Sequence, residues 1–387
     1  MSDLAILLAA RAVLLGLARV VGVAAVRVGQ PAVVGEIAFG LLVGVVLSEG
    51  PALPVTVGTT LDAIAQLGLA LFLFAVGARL APSMTGRRAS SAVVPAVGAA
   101  VVPFVLGALL AWWLAPRHAP AGTAVFVLFV GSAMAVTAFP VLARILAERG
   151  MIDQPGGQRA LSAAAITDAG AWAVLAVVAG AVRHTQVWSL FLAVPILLAF
   201  LVLGCPWFGR FAARLSRPAA TTLMVVVACA GAAATDAVGL HAAIGAFLAG
   251  VAVGRSAPAF DPAALVVPHS SLLVPLYFVL VGRHLDLAEL DLRLVGEAAA
   301  VIVVAVVGKC GGAYLGARLG GVSRHEAVEF AVLMNTRGVT ELVFVSIGLG
   351  LGVIDGGFYT VMVVMALVTT AMTGPLLSRL RQTSEVV

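Results

Sequence analysis

This sequence has very little charge: Asp, Glu, Lys and Arg together make up 11% of 387 residues. Lysine is nearly missing, since of 23 basic residues only Lys309 is a lysine. With 62% hydrophobic residues and a mean hydropathy of +1.12, that scarcity excludes a soluble domain with a solvated surface and leaves an all-α polytopic membrane protein. A pI near 9.7 would suggest nucleic acid in a soluble protein. Here the arginines stand singly between apolar runs, as topology determinants do, so no nucleic-acid partner is expected.

Cysteine is also sparse. Cys205, Cys229 and Cys310 lie in or beside apolar runs without CxxC spacing, which excludes a disulfide framework and a zinc site. No charged leader with a cleavage site precedes the first apolar run, so that run is read as a retained helix. The sequence contains no Walker loop, HExxH, GxSxG or dinucleotide fingerprint. ATP-driven transport and common hydrolase chemistry therefore have no residues to use, no cofactor is expected, and an ion gradient remains as the energy source.

What the chain does have is apolar runs. About 20 residues are needed to cross a membrane, and on that rule thirteen spans are expected: 4–26, 31–47, 59–80, 90–114, 121–147, 157–182, 187–207, 219–236, 239–254, 268–283, 295–318, 325–349 and 357–378. Charge bias tests the count. With the N-terminus outside and the C-terminus inside, inside connections carry 15 arginines (residues 27, 79, 87, 88, 144, 149, 159, 210, 214, 217, 255, 318, 324, 379 and 381) and outside ones carry 4 (117, 183, 283 and 293). The connection after the tenth span is acidic instead, with Asp286, Glu289, Asp291 and Glu297, and reads either as a cation-concentrating mouth or as a solvated loop.

Thirteen spans divide as six, one and six, which gives inverted repeats over about 1–182 and 219–380, a linker helix over about 187–207, and a core around 121–182 and 295–380. Span 5 then corresponds to span 12. Ser132, Thr137 and Pro140 interrupt the first; Asn335, Thr336, Arg337, Gly338, Thr340 and Glu341 interrupt the second. Broken hydrophobic segments at matching positions point to a secondary-transporter site at the midplane.

Asp168 lies midway along span 6 among alanines and glycine, and a carboxylate in hydrocarbon is read as a site for a proton or a monovalent cation. The bland reading is a structural carboxylate bonded to a neighbouring helix. Lys309, in the middle of span 11, needs an acid or must become neutral, and Asp168 is its expected partner. Arg337 and Glu341, four apart, are expected to satisfy each other. Glu36 is expected to pair with Arg19 or Arg27. The histidines at 118, 184, 269, 284 and 325 fall near span ends and His241 opens span 9; they read as interfacial, with pH sensing as the sharper alternative.

Several ordered motifs resemble one family: QPAVVGEIAFGLLVG, LGLALFLFAVGARL, TAFPVLARIL, GAFLAGVAVG, LYFVLVGRHLDL and MNTRGVTELVFVSIGLGLGVI. They are similar to the second branch of the monovalent cation:proton antiporters, which includes bacterial sodium/proton exchangers, potassium-efflux systems and plant cation/proton exchangers. The resemblance implies a bacterial inner-membrane homodimer, two crossing broken helices, and an elevator-like core. It implies that Asp168 is the ion-binding aspartate, with Lys309 as the facing basic residue; the hydroxyl of Thr137, Ser132 or Thr167 and unwound carbonyls are expected to complete an oxygen shell for a cation there. Pro140, Asn335, Thr336, Arg337 and Glu341 would shape the breaks. Thr167 departs from the family, which has an acid or amide beside the aspartate. The regulatory nucleotide-binding domain of some relatives is not expected here. The rival reading is an antiporter fold that has lost exchange and acts as an enzyme or binding protein, and a passive channel is a third.

Overall fold

The computed structural model describes residues 3–49, 55–83, 86–182, 211–237, 242–256, 261–285 and 291–384. Every regular element among them is a helix. In order they are α1 Asp3–Arg27, α2 Ala32–Glu49, α3 Val55–Ser83, α4 Gly86–His118, α5 Thr123–Ala135, α6 Phe139–Glu148, α7 Pro155–Val182, α8 Arg217–Ala237, α9 Ala242–Ser256, α10 Pro262–Arg283, α11 Leu292–Leu319, α12 Arg324–Met334, α13 Val339–Gly350 and α14 Gly356–Ser384.

These account for twelve of the thirteen expected spans, and the seventh, 187–207, lies outside the described residues. Eight segments are long and apolar enough to cross a membrane, the run from α5 into α6 counting as one; α12 and α13 form a ninth, bent by 44° at its break. α2 and α9 are shorter apolar helices, and α1 completes the set. The chain is a multi-pass membrane protein.

The helices pack into two groups. In one, α3 runs against α9 and α10, with α10 on α2, α9 on α8 and α1 on α2; in the other, α4 runs against α11, α5 and α7, with α11 on α12 and α14. Between the groups contacts are few, α2 touching α14 and α3 touching α7. Small residues set the close crossings, because lipid gives apolar faces no reason to associate and intimate packing must do so. At the α4–α11 crossing a Cβ on Gly312 would lie 2.4 Å from the carbonyl oxygen of Gly98, so neither helix tolerates a side chain there without separating. That crossing brings Lys309 against the backbone of α4.

Candidate functional site

The site is built from two interrupted helices and the groups that satisfy their loose ends. A helix end in a membrane leaves backbone donors and acceptors with no water to bond, so something else must pair them. At the C-terminal end of α5, Arg337 does so with its guanidinium: Nη1 donates to Ala133 O at 3.0 Å and Nη2 to Met134 O at 2.7 Å. The Nζ of Lys309 donates to Ala135 O and, at 2.9 Å, to Ala99 O of α4. Two basic side chains therefore sit at the negative end of the α5 dipole, where donors and positive charge are favourable.

The N-terminal end of α6 receives the opposite charge. Its capping residue, Ala138, has no side chain that could accept, and Pro140 in the first turn removes one donor outright. Asp168 supplies the rest from α7: its Oδ2 accepts the Phe139 N–H at 3.3 Å, and the Thr137 N–H also faces the carboxylate. The breaks then hold each other, since Ala138 N–H donates to Thr336 O at 3.0 Å and the Thr137 hydroxyl donates to Met334 O at 3.2 Å. Gly338 opens α13 at φ +144°, a conformation that side-chain-bearing residues rarely adopt.

The expected Arg337–Glu341 pair is present at 2.5 Å, with both side chains fully buried. Glu36 pairs with Arg19 at 3.2 Å as expected, and also with Arg144 of α6 at 3.5 Å, a contact between the two helix groups that spacing in sequence does not suggest. One expectation is corrected. Lys309 and Asp168 form no ion pair within 4.0 Å; Lys309 Nζ instead donates to the Ala135 carbonyl at the end of α5 and to the Ala99 carbonyl within α4, which has no helical donor because Pro103 stands four residues on. The hydroxyls of Ser132 and Thr167 turn back on their own helices, to Leu128 O at 2.7 Å and Ala164 O at 3.0 Å. Their protons are committed, so only lone pairs remain to face a ligand.

Several buried polar atoms at the crossing have no hydrogen-bond partner among the described residues. They are Asp168 Oδ1, both amide atoms of Asn335, the Thr336 and Thr340 hydroxyls, Arg337 Nε and Glu341 Oε2. Unsatisfied polar atoms cost about 1–3 kcal/mol each when buried, so such a concentration is a candidate site for ordered water or a bound ion. The set is oxygen-rich, as hard cations require. A cavity of about 650 Å³ lies beside the breaks: Phe139 and Pro140 of α6 and Val339 of α13 line it together with Arg19, Glu36, Arg79 and Arg144, while Asp168 and the unpartnered atoms do not. A second cavity, about 420 Å³, opens on the opposite side among Gln66, Tyr277, His284 and Ser346, and no residue of either break lines it.

Of the acidic connection after α10, Asp286 and Glu289 lie outside the described residues; Asp291 caps α11 by accepting from the Leu294 N–H at 2.7 Å, and Glu297 is buried in α11, paired with Arg117 and Arg293. His184, His241 and Cys205 fall outside the described residues as well.

Comparison with known proteins agrees with this architecture. The family described as the transmembrane region of sodium/hydrogen exchangers matches residues 12–382. The Na(+)/H(+) antiporter NhaS4 of Synechocystis is 32% identical, the match covering 98% of this chain and 98% of that protein. Cation/H(+) antiporter 17 of Arabidopsis thaliana is 34% identical and K(+)/H(+) antiporter 1 of Saccharomyces cerevisiae 30% identical, each over 90% of this chain but only 45% and 43% of their own longer sequences. Among solved structures, the sodium proton antiporter MjNhaP1 from Methanocaldococcus jannaschii shares the fold, with a TM-score of 0.72 over 97% of this chain and 96% of that one at 15% identity. The chain belongs to the sodium/hydrogen exchanger family.

Proposed function

We propose that this protein is a secondary antiporter that exchanges a monovalent cation, sodium or potassium, for a proton at Asp168. The observation that carries the proposal is the Asp168 carboxylate, 1% exposed, with one oxygen holding the end of α6 and the other without a hydrogen-bond partner among the described residues. A proton or a cation would complete Oδ1. Lone pairs of Thr137, Thr167 and Ser132 and the unpaired oxygens on the second break are the further donors we assign to a cation.

Loading controls movement through charge. A bare carboxylate crossing the membrane interior meets a penalty of several kcal/mol, whereas a neutralised one does not. The group of α4, α5, α6, α7 and α11 to α14 would then travel as the core against the other group, with few contacts to break. Lys309 bonds carbonyls rather than Asp168, so cation binding need not displace its proton, and one carboxylate alternating between two monovalent ligands gives electroneutral 1:1 exchange. With the N-terminus outside and the C-terminus cytoplasmic, the larger cavity is the cytoplasmic access path and the structure represents an inward-facing state. The membrane is the bacterial plasma membrane, and the unit is a homodimer.

Purified protein in proteoliposomes carrying a pH-sensitive dye tests this reading. Adding sodium, potassium, lithium and an organic cation in turn should dequench the dye for at least one alkali cation. Failure of all of them, with correctly inserted protein, would remove the proposal in favour of a fold that has lost exchange.

A further inference from the structure

A second charged cluster, distant from the crossing, has no part in the mechanism above. His118, the last residue of α4, is buried, and each of its ring nitrogens meets a different carboxylate: Nδ1 lies 2.8 Å from Asp355 Oδ2 and Nε2 lies 2.9 Å from Glu297 Oε2. Asp355 precedes α14, and Glu297 belongs to α11, so one imidazole joins three helices of the same group. A neutral imidazole has one N–H and one lone pair, and the lone pair would face a carboxylate oxygen. Only the imidazolium donates in both directions.

We propose that His118 is a second proton-binding site, in which a proton held between Glu297 and Asp355 clamps the external ends of α4, α11 and α14. The charges around it are all identified among the described residues. Glu297 and Asp355 face the ring; Arg117 at 2.7 Å and Arg293 at 3.5 Å occupy the other oxygen, Oε1, of Glu297. Phe358 covers the ring at 5.4 Å and packs on Phe126 of α5, so that side is apolar. The cluster contributes two fixed positive charges and two negative ones without the ring. A protonated ring makes every carboxylate oxygen pair locally; a neutral ring leaves the oxygen facing its lone pair repelled.

The clamp bears on the site described above through geometry. Glu297 lies twelve residues, about 18 Å of helix, before Lys309 on α11, and α4 carries the Ala99 carbonyl that holds Lys309. External protons would thereby fasten the helix pair that presents Lys309. That consequence rests on the antiporter reading, whereas proton binding by His118 does not.

Deuterium exchange at imidazole C2, followed by mass spectrometry on the full chain in detergent across pH 5 to 9, reports each histidine separately. In the wild type, His118 should keep its proton to higher pH than the imidazole of a histidine model peptide measured alongside. The Asp355→Asn variant, changed at a half-exposed turn position, should narrow that gap, and Asp355→Asn with Glu297→Gln should abolish it. Titration of wild-type His118 together with the peptide, or a gap untouched by Asp355→Asn, would overturn the proposal. The wild-type measurement decides the matter even where the double variant fails to fold.

Discussion

Replacing Arg337 by methionine probes how the breaks are held. The change keeps the side chain's bulk but removes donors to Ala133 O, Met134 O and Glu341 at once. Breaking a buried ion pair by deleting one partner costs about 3–5 kcal/mol, because the surviving charge stays buried and uncompensated. Each orphaned helix-end carbonyl adds about 1 kcal/mol. Arg337→Met should therefore lose about 5–7 kcal/mol, and Glu341→Leu about 3–5. In the double variant no unpaired charge remains, only the carbonyls, so its loss should fall to about 2–3 kcal/mol, well below the sum of the single losses. Thermal unfolding of the four proteins in one detergent, read by loss of the monodisperse peak in size-exclusion chromatography, measures this cycle. Additive losses, or an Arg337→Met variant within about 1 kcal/mol of wild type, would refute the reasoning.

Three further outcomes follow from the same structure. Gly312→Ala should cost about 1–3 kcal/mol of stability because its Cβ meets the Gly98 carbonyl, while Gly311→Ala, with nothing within 4 Å, should be neutral or stabilising; equal effects in melting experiments would contradict the tight α4–α11 crossing. Burial pushes the Asp355 carboxyl upward, but hydrogen bonds from His118 and the Phe358 N–H, with the charge of His118, hold it below the usual carboxylate range. A depressed folded value gives stability that is present above the unfolded value near pH 4 and lost as pH falls through the folded one, so Asp355→Asn should flatten the acid limb of a stability–pH curve, and an unchanged limb would argue against the pairing. Exchange in proteoliposomes should proceed at the same rate under imposed potentials of either sign; acceleration by potential would mean that Lys309 releases a proton in each cycle.

The spans were legible because about 20 apolar residues between arginines have no other stable use, and even the interrupted ones declared themselves through polar residues at matching depths. Arg337 and Glu341 were legible for a similar reason, since four residues apart on one segment leaves them within reach. The partner of Lys309 was not legible. Its acceptors are main-chain carbonyls of Ala99 and Ala135, and every residue has a carbonyl; only the break in α5 and the approach of α4 make these two available. Long-range pairs were hidden too. Nothing in the local pattern places Arg144 on Glu36, or His118 between residues 179 and 237 positions away.

The central claim is that the Asp168 carboxylate carries both ligands. The most direct measurement is cation-dependent proton flux by Asp168→Asn in proteoliposomes, beside wild type at matched insertion. Asparagine keeps the size and an oxygen to accept the Phe139 N–H, so the fold should survive while the titratable charge is gone. The account predicts flux indistinguishable from empty liposomes; exchange by Asp168→Asn at the wild-type rate would contradict it.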